Sequence, residues 1–117
     1  MDFNQIMGNI KKEHGEIPKP LEMLGKLDES MVVNHISDRQ FAYSKESVPQ
    51  KYKILIALSA VIALGSQPCI LNYAQAAKKA GASTQEIMET FAVAKFSKAG
   101  TVLSSSLPAL EWLANNK

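Results

Sequence analysis

The chain has 117 residues, of which 46% are hydrophobic and 21% charged, the balance of an ordinary globular domain and far from the composition of a disordered chain. Its 13 basic and 11 acidic residues leave a formal net charge of +2 without a long block of one sign, which argues against nucleic acid as a main partner. The longest apolar run, Ile54 to Leu64, is broken by Ser59 and falls well short of the roughly 20 residues that cross a bilayer.

The start Met1-Asp2-Phe3-Asn4 has neither the charged nor the apolar region of a secretory signal, so a cytoplasmic protein without a membrane partner is expected. The first predicted helix runs from Asp2 to His14, carrying Phe3, Ile6, Met7 and Ile10 at helical spacing, with Gly15 as its stop. Pro18 and Pro20 make the next segment a connector, because each lacks a donor and pushes its predecessor toward extended backbone. Leu21, Met23, Leu24 and Leu27 predict a two-turn helix ending near Asp28, and Met31, Val32, Ile36 and Phe41 a third from about Ser30 to Tyr43.

Ser47-Val48-Pro49 predicts a fourth helix, with the proline at an early helical position, through Tyr52, Leu55, Leu58 and Ile62 to Leu64. It is apolar nearly all round. Pro68 fits the first turn of a fifth helix that continues through Cys69, Tyr73 and Ala77 until Gly81. Ser83-Thr84-Gln85-Glu86 has the form of a capping box and predicts a sixth helix from Thr84 to about Ala99, with Gly100 as its end. A last helical segment, kinked or restarted around Pro108, carries Leu107, Leu110, Trp112 and Leu113. No segment shows the period-two alternation of a half-buried strand. The expected fold is all-α, a single-domain bundle of about six to seven helices over residues 1-117.

Cys69 is the only cysteine, which rules out an internal disulfide and any multi-cysteine metal site and fits a reducing compartment. A thiol one turn into a helix lies near free backbone N–H groups and the positive end of the helix dipole, which favour the thiolate. The same residue also reads as a small buried hydrophobe between Pro68 and Ile70. Tyr73 lies four residues on, hence on the same helical face. His14 and His35 fall on earlier helices and read as surface or packing residues. Met23, Met31 and Met88 read as core or interface fillers.

The fourth helix, the Gly65 turn, the fifth helix, Gly81-Ala82-Ser83 and Glu86-Ile87 resemble the core repeat of the carboxymuconolactone decarboxylase and alkyl hydroperoxidase D-like superfamily. Gly15-Glu16-Ile17-Pro18 is similar to the segment that precedes that repeat. In the redox branch of this superfamily two cysteines are spaced C-x-x-C, a histidine follows four residues after the second, and a glutamate lies twelve residues before the first. Carried back from Gly81, which matches the family glycine, the second cysteine falls on Cys69, the first on Ser66, the histidine on Tyr73 and the glutamate on Ile54. One of the four functional side chains is retained.

A C-x-x-C pair works by one thiolate attacking and the other resolving a mixed disulfide, and Ser66 cannot resolve. Ile54 and Tyr73 likewise replace the proton-relay groups with side chains that are not general bases near neutral pH. The resemblance implies a thiol-dependent antioxidant of peroxiredoxin type, here with Cys69 alone and an external thiol reductant as partner. It leaves two other readings open: a gamma-carboxymuconolactone decarboxylase-type enzyme on a small anionic substrate, and a non-catalytic family member that binds a ligand or partner. No metal or cofactor is expected, and the resemblance together with the apolar fourth helix implies a homo-oligomer, a trimer or hexamer.

Overall fold

The computed structural model describes all 117 residues as seven α-helices without strands, so the protein is all-α. The helices are α1 (Phe3–His14), α2 (Lys19–Leu27), α3 (Glu29–Ser44), α4 (Gln50–Leu64), α5 (Gln67–Lys79), α6 (Thr84–Ser105) and α7 (Leu107–Asn115). They group into two compact units, Met1–Glu46 and Ser47–Lys117.

In the first unit α3 packs against both α1 and α2, around the buried residues Ile6, Gly25 and Val32. α1 opens on a capping box: Asp2 Oδ1 accepts the Gln5 N–H at 2.8 Å while the Asp2 N–H donates to Gln5 Oε1 at 3.0 Å, satisfying two donors that the helix cannot. It closes where expected, at Gly15 with φ 80°. Gly25 is buried because the Phe3 ring lies on it; a Cβ there would meet Phe3 Cζ at 2.9 Å. Asp28 ends α2 and caps α3, its carboxylate accepting from the Ser30 hydroxyl at 2.6 Å and the Ser30 N–H at 3.0 Å. Those bonds, the hydroxyl foremost, hold the Asp28 carboxyl below its usual range.

In the second unit α4 packs against α5 and α6. Leu58, Ala77, Ala82 and Ile87 form its buried centre, with Ile54, Ile62, Ile70, Tyr73 and Phe91 packed around it. Gly65 (φ 77°) and Gly81 (φ 94°) take left-handed backbone that a Cβ disfavours. In both turns the following N–H reaches five residues back, Ser66 to the Val61 carbonyl at 3.2 Å and Ala82 to the Ala77 carbonyl at 2.9 Å, so otherwise unpaired helix-end carbonyls are satisfied. The box predicted at Ser83 is present: Ser83 Oγ accepts the Glu86 N–H at 3.0 Å and the Ser83 N–H donates to Glu86 Oε1 at 2.8 Å.

Three predicted boundaries differ. Lys19 and Pro20, expected in the connector, open α2, where a proline's missing N–H is one of the helix's unpaired donors in any case. Pro49 is the N-cap of α4 and not an early helical residue; its fixed φ, here −57°, serves either position. Gly100 does not end α6, which continues to Ser105. A glycine stop requires a left-handed residue, and Gly100 is not among the positive-φ glycines. The chain breaks instead at Ser106, just ahead of Pro108, which cannot extend the hydrogen-bond ladder.

Candidate functional site

The predicted site residues lie at the α4–α5 turn and along α5. Ser66 is the N-cap of α5, and its side chain makes no capping hydrogen bond. Pro68 occupies the first turn of α5, where its missing N–H costs nothing. Cys69 follows as a free, half-buried thiol, in the same first turn that brings backbone N–H dipoles toward its end of the helix.

Tyr73, one turn along α5, is half-buried and packs against the Leu58, Ala77, Ala82 and Ile87 centre, as does Ile54 from α4. The two positions that the redox branch fills with a histidine and a glutamate are here part of the hydrophobic packing. Tyr73 fills space with an aromatic ring, and Ile54 replaces an ionisable group with an aliphatic one. Of the four motif positions, what remains is the Cys69 thiol, with the Ser66 hydroxyl three residues before it and no acid–base side chain at the other two. His14 and His35 are exposed, on α1 and α3. No three His, Cys, Asp or Glu side chains converge as a metal-binding group, and no helix is long and apolar enough to cross a membrane.

Two open grooves lie between α4 and α6, and neither is lined by Cys69, Ser66 or Tyr73. One, of about 410 Å³, is lined by residues including Tyr52, Ile56, Ser59, Glu86, Glu89 and Val93. At its edge Lys51 Nζ lies 3.1 Å from Glu86 Oε2, so Glu86 spends one oxygen on its helix cap and the other on α4. The Ser83 backbone donor, then Lys51, holds the Glu86 carboxyl below its ordinary value, and the Glu86 carboxylate raises Lys51. The other groove, of about 710 Å³, is lined by Ile62, Met88, Phe91 and Phe96 among others, with Lys95. Lys98 Nζ ties α6 to the end of α4 by donating to the Ala63 carbonyl at 2.7 Å.

These grooves and the Lys51–Glu86 pair escaped the sequence reading, because nothing local links residues so far apart. Glu86 was visible only as a capping residue. Met88 is exposed and so is not a core filler.

With a helical repeat of this form and a C-terminal half built on α4 to α6, the chain matches the carboxymuconolactone decarboxylase family over residues 33–112. The match covers more than half of the chain, and the protein belongs to that family. No curated protein matches it.

Proposed function

We propose that the protein is a thiol-dependent antioxidant of the alkyl hydroperoxidase D-like kind, working with one cysteine and an external thiol, in a reducing compartment such as the cytoplasm. The observation that carries this reading is Cys69: a free, half-buried thiol in the first turn of α5, at the position matching the second cysteine of the redox motif.

The chemistry closes without a second protein thiol. The Cys69 thiolate attacks the peroxide oxygen distal to the organic group, the O–O bond breaks, and the departing alkoxide takes a proton to leave as alcohol. Cys69 is now a sulfenic acid. A small external thiol condenses with it, releasing water and forming a mixed disulfide. A second external thiol attacks that disulfide, leaves with the first as its oxidised dimer, and returns Cys69 to the thiol. In sum one peroxide and two thiols give one alcohol, one water and one disulfide. Ser66 takes no part in these transfers, and Tyr73 packs on the hydrophobic centre.

Peroxide consumption in the presence of a small thiol tests this directly. The Cys69→Ser variant is expected to lose turnover by at least about tenfold, and unchanged turnover overturns the reading. The packing of Ile54 and Tyr73 against the core favours one other reading, a non-catalytic family member, which absence of turnover in the unmodified protein would support. Carbon dioxide release from an anionic lactone, insensitive to Cys69→Ser, would move the protein to the decarboxylase reading. We further propose that the chain assembles as a homo-oligomer, a trimer or hexamer by resemblance, because Leu64, Phe96 and Trp112 are each more than 60% exposed in the single chain.

A further inference from the structure

The C-terminal helix, α7, buries none of its side chains. Its main packing neighbour is α6, which it follows directly. Apart from Glu111 and Asn115, which share one side, its sequence Leu107-Pro108-Ala109-Leu110-Glu111-Trp112-Leu113-Ala114-Asn115 is apolar, and Leu107, Leu110, Trp112 and Leu113 are all exposed. A helix of 9 residues is marginal in water on its own, since isolated helices shorter than about 12–15 residues seldom persist. An apolar arc this wide suits a groove better than a flat contact.

The same chain carries such a groove. The α4/α6 depression of about 710 Å³ is floored by Ile62 and Phe91, which also pack on the central cluster. Its walls present Met88, and Phe96 at 78% exposure. The floor is therefore held by the core, while the walls are apolar surface left open. Lys95 supplies a cation at the groove, and Glu111 is the one acidic residue of α7, so the charges at the edge are complementary.

We propose that α7 of one copy docks in the α4/α6 groove of a second copy, with Trp112 and its neighbouring leucines against Phe96 and Met88 and Glu111 toward Lys95. The proposal rests on the self-association above and adds the surfaces that make it. Donor and acceptor are different patches, so the contact closes either as a reciprocal exchange between two chains or as a ring. Covering the large side chains of both patches removes on the order of 1,000 Å² in a reciprocal exchange, the scale at which specific interfaces begin.

Trp112 is the single tryptophan of the chain, so its emission reports the docked state without a label. Light scattering after size exclusion, with tryptophan emission on the same full-length samples, is the test. The unmodified protein is expected to be multimeric with the blue-shifted emission of a buried indole. Phe96→Asp in the groove and Leu113→Asp on α7 are each expected to fall to the 12.8 kDa of one chain with red-shifted emission. Mixing the two variants is expected to restore a multi-chain species, because one intact groove meets one intact α7. Phe96→Ala, a mild change at an exposed helical position, is expected to move both readouts the same way. A multimer whose mass and emission ignore Phe96→Asp overturns this docking and leaves self-association standing through another surface. A monomeric unmodified protein overturns both.

Discussion

The places of Ser66, Cys69 and Tyr73 on the fifth helix and its cap follow from their spacing in the sequence, and α5 has them there. What the spacing could not give is the company they keep. Tyr73 and Ile54 join the hydrophobic packing, a fact decided by which face of α4 meets α5. The Lys51–Glu86 pair was equally hidden, and it carries a pH signature. Glu86 is held below its ordinary 4.5 by the Ser83 backbone donor and then by Lys51. A depressed carboxyl stabilises the fold above its unfolded-state value, and that contribution is lost as pH falls through the folded-state value. Lys51 is held above its ordinary 10.5 by Glu86; its contribution is complete below that value and is lost as pH rises through the folded one. The gap in Tm between the protein and its Glu86→Gln variant is therefore expected to be level from about pH 6 to pH 9 and to close below about pH 4. Thermal unfolding followed across that range checks it, and a gap that persists at pH 2 contradicts the assignment.

At the scale of elements, helix starts and stops were the most readable features, since capping is local chemistry. The Ser83 box, the Gly15, Gly65 and Gly81 turns and the restart before Pro108 all follow from residues within a few positions. Gly100 was misread because glycine marks a stop only where the backbone turns left-handed, and the sequence does not state φ. The correction has a measurable consequence. A Cβ at Gly100 meets nothing within 4 Å and removes unfolded-chain entropy, so Gly100→Ala is expected to raise stability by about 0.5–1 kcal/mol. Gly65→Ala, at φ 77°, is expected to lower it by about 1–2 kcal/mol for the opposite reason. Denaturant unfolding of the pair separates the cases, and two changes of the same sign would mean that α6 does not run through Gly100. Ser83→Ala is expected to lose about 1 kcal/mol with the cap.

For the whole molecule, the all-α class was legible from periodicity alone, whereas the grooves and the bare α7 emerge only when the helices are placed. Few large side chains are fully buried: Leu58 and Val32 are the largest. Leu58→Ala, at the centre of the second unit, is expected to lose about 2–5 kcal/mol in chemical unfolding. So small a core beside so much exposed apolar surface is the physical argument behind the proposed self-association, and the family membership sets the chemistry against which Cys69 is judged. The central claim is that Cys69 is a reachable nucleophile in the folded protein. Alkylation of Cys69 by a small reagent, followed by intact mass in native buffer and again in denaturant, tests it most directly. Native labelling within about tenfold of the unfolded rate is the predicted result; protection of the thiol until the protein unfolds would make Cys69 a packing residue and contradict the account.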